Sequence, residues 1–134
     1  MQKIEHIGIA VKSIEAYINM YEQLLDTSCY KLEAVESEGV KTAFFKVGPN
    51  KIELLEATRP DSPIAKFIEK KGEGIHHIAY AVTNVSEEME RLKRLGFELL
   101  NQSPKSGADN KEIVFLHPKS AGGVLVELCS DRSA

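Results

Sequence analysis

Apolar residues recur along this chain in two periods that alternate in a fixed order. The opening segment His6-Ile-Gly-Ile-Ala-Val11 alternates with a period of two, the signature of a strand with two distinct faces. Ser13 can then cap a helix in which Ile14, Tyr17, Ile18, Tyr21, Leu24 and Leu25 recur at helical spacing. Strand-like segments follow at roughly 29–36, 40–47 and 51–57.

The same order then repeats. His77-Ile-Ala-Tyr-Ala-Val82 restates the opening strand, and a second helix is predicted from Ser86. It carries Glu87 and Glu88 in its first turn, Met89, Leu92 and Leu95 as its apolar stripe, and Arg91, Lys93 and Arg94 before a stop at Gly96. Strands are predicted at 97–102, 111–116 and 123–129. Between the halves, Ser62 as cap and Pro63 at the first helical position start a short helix with Ile64, Phe67 and Ile68 inward, ended by Gly72. The pattern predicts an α+β fold of two βαβββ modules, about 1–58 and 75–134, with a structured connector over 59–74. Neither half has much core of its own, so residues 1–134 are expected to form a single domain.

Candidate chemistry repeats with the elements. His6 is followed 47 residues later by Glu53, within Ile52-Glu-Leu54, and His77 is followed 50 residues later by Glu127, within Val126-Glu-Leu128. Strand parity places His6 with Gly8 and Ala10, and His77 with Ala79 and Ala81, on faces lined by small residues. Bulky Ile7, Ile9 and Val11 face the other way, toward a helix. His76 aligns with Glu5 and points away from the small-residue face, and Glu56 lies opposite in parity to Glu53. A lone buried histidine or strand glutamate usually has a structural role, but two such pairs at equivalent places are the side chains that hold a divalent metal. The site expected is His6, Glu53, His77 and Glu127.

Composition narrows the classes. Hydrophobic residues make up 43% and charged residues 28% of the 134, with a net charge of −3, which describes a globular protein and argues against a nucleic-acid partner held mainly by phosphate contacts. No apolar run is long enough to span a bilayer, and Met1-Gln2-Lys3 leads directly into a strand pattern, so no membrane partner and a cytoplasmic location are expected. Cys29 and Cys129 lack metal-binding or redox spacing and are expected to be reduced thiols.

The motifs Asp61-Ser-Pro-Ile-Ala-Lys-Phe67, Gly72-Glu-Gly-Ile-His-His-Ile-Ala79, Phe115-Leu-His-Pro-Lys-Ser120 and Gly122-Gly-Val-Leu-Val-Glu127, in this order, resemble the vicinal oxygen chelate superfamily (glyoxalase, bleomycin resistance and dioxygenase proteins). Within it they are similar to the methylmalonyl-CoA epimerases. The resemblance implies a cupped mixed sheet around a metal site and metal-dependent epimerisation of an acyl-CoA, by proton abstraction and return through a metal-chelated enolate. It implies one divalent ion, cobalt ahead of manganese, zinc, magnesium or nickel, held by His6, Glu53, His77 and Glu127. Glu127 and Glu53 are the expected catalytic carboxylates, Lys119 and Ser120 the expected substrate contacts, and a homodimer the expected assembly. Some related epimerases carry a further glutamate where this chain has Thr42, and threonine is no general base at neutral pH, so the second face falls to Glu53, another acid or a bound water. Two other readings use the same fold: a glyoxalase I type lactoylglutathione lyase, and a metal-free small-molecule binding protein. A ring-cleaving dioxygenase normally uses two histidines and one carboxylate, against the two glutamates here.

Overall fold

The computed structural model describes residues 1–132. Along them run β1 (Lys3–Ala10), α1 (Ile14–Leu25), β2 (Lys31–Val35), β3 (Val40–Val47), β4 (Asn50–Ala57), α2 (Pro63–Lys71), β5 (Gly74–Ala81), α3 (Val85–Arg94), β6 (Lys105–Gly107), β7 (Lys111–Leu116) and β8 (Val126–Asp131). Apart from α2 this is βαβββ twice, the α+β class that the repeated periodicity predicts. The chain divides into two compact units, one of His6–His76 and one of Met1–Glu5 with His77–Ala134.

In the His6–His76 unit the strand order is β2-β3-β4-β1, antiparallel except for the parallel β4–β1 pair. Ser13 caps α1, its side chain accepting from the Ala16 N–H, as the sequence predicts. The inward stripe of α1, with Ile14, Tyr17, Ile18, Tyr21 and Leu25, packs on Ile9, Val11, Ala43, Phe45, Ile52 and Leu54. That is the bulky face of the sheet. Phe45 and Leu54 are wholly buried, and truncating the Phe45 ring costs about 3–5 kcal/mol. On the opposite face α2, capped by Ser62 with Pro63 in its first turn, covers Ala10, Val40 and Leu55 through Ile64, Phe67 and Ile68. Leu24, expected in the α1 stripe, is exposed, because helical spacing sets it on the flank of the line that Ile14, Tyr21 and Leu25 follow into the core.

In the second unit the order is β5-β8-β7-β6, again with one parallel pair, β5–β8. Val85, Met89 and Leu92 of α3 pack with Val82, Leu99, Val114, Leu116 and Leu128. The opposite face carries Ala79, Ile113 and Cys129 with Phe115 beside them. Neither cysteine forms a disulfide among the described residues; Cys129 is buried and Cys29 half-buried.

Four local expectations in this unit need correction. α3 is capped by Asn84, whose Oδ1 accepts from the Glu87 N–H at 3.0 Å, and not by Ser86. Asparagine and serine cap equally well, and only the earlier start places Val85 in the core. Leu95 forms the C-terminal cap of α3 and is exposed rather than part of its stripe. Residues 97–102 do not form a strand. A single bridge joins Leu99 to Leu116, after which the Asn101 amide donates to Ser103 O and Ile113 O and accepts from Phe115 N, replacing a backbone ladder. The strand beside β7 is instead Lys105–Gly107. Finally, β8 starts at Val126 and not near 123, since Gly122 and Gly123 turn the chain with φ of 66° and 92°.

Candidate metal centre

The register of the parallel pairs positions the repeated histidines and glutamates. In β1–β4 Gly8 stands beside Glu53, so His6, two residues earlier, shares the face from which Glu53 projects. In β5–β8 Ala79 stands beside Glu127, and His77, also two residues earlier, occupies the same relative place. The outcome is the same in both units. His6 Nδ1 lies 3.1 Å from Glu53 Oε2, and His77 Nε2 lies 3.2 Å from Glu127 Oε1. All four side chains are buried, at 4–5% exposure.

Aromatic rings flank both pairs. Phe44 stands directly opposite Glu53 in β3–β4, and Phe115 directly opposite Glu127 in β7–β8. The Phe115 ring meets His77 edge-on, with centroids 5.9 Å apart. A lysine ammonium lies over each phenylalanine: Lys31 is 5.2 Å from the Phe44 centroid and Lys105 is 5.5 Å from that of Phe115. Such contacts hold the rings in place at one side of each pair.

The residues set aside by parity have other work. His76 is half-buried, its ring edge-on to Phe67 at 4.9 Å, and Glu56 Oε1 accepts from the Ile14 N–H at 2.7 Å at the start of α1. Lys119 and Ser120 lie in a 3₁₀ turn over Pro118–Ala121. The exposed Lys119 ammonium is 3.2 Å from Glu98 Oε1, and Ser120 Oγ accepts from the Glu98 N–H at 3.0 Å. Sequence reasoning passed over Glu5, buried at 4%, whose only signal was its place beside His6 as the counterpart of His76. It also passed over the burial of Thr42, at 1% exposure, on the same face as Phe44 and Glu53.

The donor chemistry fits a divalent ion. Imidazole nitrogen and carboxylate oxygen, with no thiolate among them, suit zinc, cobalt, nickel, manganese or magnesium. One histidine and one glutamate supply two of the four or more donors that such an ion takes.

Comparison with known proteins agrees with the fold. Residues 5–115 match the family model described as the Glyoxalase/Bleomycin resistance protein/Dioxygenase superfamily. The ethylmalonyl-CoA/methylmalonyl-CoA epimerase of Cereibacter sphaeroides is 39% identical over 128 residues, covering 94% of this chain and 96% of that protein. Human mitochondrial methylmalonyl-CoA epimerase is 38% identical over 127 residues, covering 94% of this chain and 72% of the relative. Among solved structures, a variant of Streptomyces coelicolor methylmalonyl-CoA epimerase in complex with 2-nitronate-propionyl-CoA superposes with a TM-score of 0.94 at 34% identity, covering 99% of each chain. A doubled βαβββ order with a histidine on each first strand and a glutamate on each last one, together with these matches, makes the chain a member of the glyoxalase/bleomycin resistance/dioxygenase superfamily.

Proposed function

We propose that this protein is a metal-dependent methylmalonyl-CoA epimerase in which His6, Glu53, His77 and Glu127 together hold one divalent ion. The observation that carries the reading is the pair of buried His–Glu contacts, 3.1 and 3.2 Å, at the same register step in both units. Its support from relatives is specific, since those at 38% and 39% identity are named as epimerases of this substrate.

The reaction removes a proton from the carbon between a thioester carbonyl and a carboxylate and returns one on the other face. A divalent ion bound by these four residues supplies Lewis acidity that stabilises negative charge on the substrate oxygens as the proton leaves. Glu127 takes and returns the proton on one face, and Glu53 is assigned the other. Proton transfer by a positioned carboxylate contributes about 10² to 10⁴ in rate. Phe44 and Phe115, opposite the two carboxylates, exclude water that would compete for the abstracted proton. Lys119 and Ser120 are assigned to the acyl-CoA, the ammonium exchanging its Glu98 partner for an anionic oxygen. The working form is a cytoplasmic homodimer with cobalt as the preferred ion. Among the described residues, no helix is long and apolar enough to cross a membrane.

The test is an exchange assay. The protein is incubated with one epimer of methylmalonyl-CoA in deuterated water, and deuterium is followed at the carbon beside the carboxylate. Incorporation with interconversion of the epimers is the expected result. No exchange by metal-replete protein overturns the proposal, and turnover of a glutathione hemithioacetal in its place would assign the fold's lyase chemistry.

A further inference from the structure

Resting on the epimerase reading above, we infer that the Thr42 hydroxyl is a substrate-binding group that donates to the carboxylate of the bound acyl-CoA. Thr42 is 1% exposed, and among the described residues its Oγ1 has no hydrogen-bond partner. A buried hydroxyl left without a partner costs about 1–3 kcal/mol, so a fold retains one chiefly where something else completes it.

Its placement says what that is. Phe44 stands opposite Glu53 and Thr42 opposite Leu55, which makes Thr42 the diagonal neighbour of Glu53 on one face of the sheet. Diagonal neighbours lie about 7–8 Å apart, the space of one small group between them. His6 shares this face through the pairing of Gly8 with Glu53. On the other side Glu33 stands opposite Thr42, and its carboxylate is 3.2 Å from the Lys31 ammonium. Thr42 thus offers a neutral donor on a face that already bears Glu53. An anionic oxygen is the acceptor that gains most from such a donor, because hydrogen bonds to charged groups are about twice as strong as neutral ones. Methylmalonyl-CoA brings one, and the same thioester without its carboxylate does not.

The experiment compares wild type, Thr42→Val, which keeps the shape and deletes the hydroxyl, and Thr42→Ser, which keeps the hydroxyl. Binding of methylmalonyl-CoA and of propionyl-CoA is measured by calorimetry on metal-replete protein, with the melting temperature of each unliganded protein. Thr42→Val is expected to weaken methylmalonyl-CoA binding about tenfold, the loss of one charge-assisted bond, and to leave propionyl-CoA within about twofold. Thr42→Ser should restore most of the affinity. Unliganded Thr42→Val should melt at or above wild type, since an unsatisfied hydroxyl has been removed. Unchanged binding of methylmalonyl-CoA by Thr42→Val overturns the inference, as does an equal loss for both ligands. A lower melting temperature with unchanged binding does so too, and would assign the hydroxyl a structural water. Wild type that binds methylmalonyl-CoA no better than propionyl-CoA would instead remove the epimerase reading itself.

Discussion

His77 Nε2 lies 3.2 Å from Glu127 Oε1 with both side chains buried, while His76, one residue earlier on the same strand, sets its ring edge-on to Phe67. Neighbouring imidazoles on a strand point to opposite faces, so one can serve a metal and the other cannot.

His77→Ala is therefore expected to weaken metal binding by more than about 100-fold, beyond what loss of an outer partner of a ligand costs. His76→Ala should keep its metal and lose about 0.5–1.5 kcal/mol of stability with the ring pair. Elemental analysis and urea unfolding of the two variants read both effects. Metal retained by His77→Ala and lost from His76→Ala would place the ligand on the other face of β5.

The two glutamates are equivalent by register and are separated by chemistry. An amide oxygen still binds a hard cation, so Glu53→Gln should keep substantial metal and the exchange that Glu127 performs on its own face, while interconversion of the epimers, which needs the other face, falls. Glu127→Gln should stop deuterium exchange at equal metal occupancy, by about 10² or more, because an amide cannot take the substrate proton. Equal, large losses for both at full occupancy would make Glu53 a base as necessary as Glu127. Undiminished exchange in Glu127→Gln would remove its assigned role.

An ion that binds only the folded chain also stabilises it. At a free concentration about 100 times its dissociation constant the gain is about 2.7 kcal/mol. Dialysis against a chelator should lower the melting temperature and abolish exchange, and cobalt, manganese, nickel or zinc should restore both to different extents. Full exchange by protein shown by elemental analysis to be metal-free would rule out the mechanism.

The repeat explains why so much of the site can be read in advance. Parity along β5 separates the imidazole that meets Glu127 from its neighbour His76 on sequence alone, because a strand has only two faces. The start of α3 is less legible, since Asn84 and Ser86 are both good caps and tertiary burial of Val85 decides between them. The segment at 97–102 is apolar enough for a strand, and what prevents one is a side-chain amide, that of Asn101, satisfying backbone groups of β7. The burial of Thr42 and Glu5 depends on what packs over them, which no local pattern contains. Glu73 is the extreme case. It reads as a charged residue between two glycines, and its partners lie 61 and 56 positions away in the chain.

Those partners give the last prediction. Glu73 Oε2 accepts from the Lys12 backbone N–H at 2.7 Å, and Oε1 accepts from the Tyr17 hydroxyl at 2.6 Å, tying the connector before β5 to the start of α1. The Lys12 bond, then that of Tyr17, holds the Glu73 carboxyl below its ordinary range, and the bond to Glu73 pushes the Tyr17 phenol up. For Glu73, whose folded value is lowered, the stabilisation is present above the unfolded value of 4.5 and is lost as pH falls through the lower folded one. For Tyr17, whose folded value is raised, it is present below 10.0 and is lost as pH rises through the higher folded one. Urea midpoints measured against pH should thus show an acid limb and an alkaline limb in wild type. Tyr17→Phe should flatten the alkaline limb and keep most of the acid one, because the Lys12 bond remains. Glu73→Gln should flatten both. The effect is small at so exposed a site, and it is read as a difference between variants. Superimposable profiles for wild type and Glu73→Gln would show that this tether contributes nothing to the pH dependence of folding.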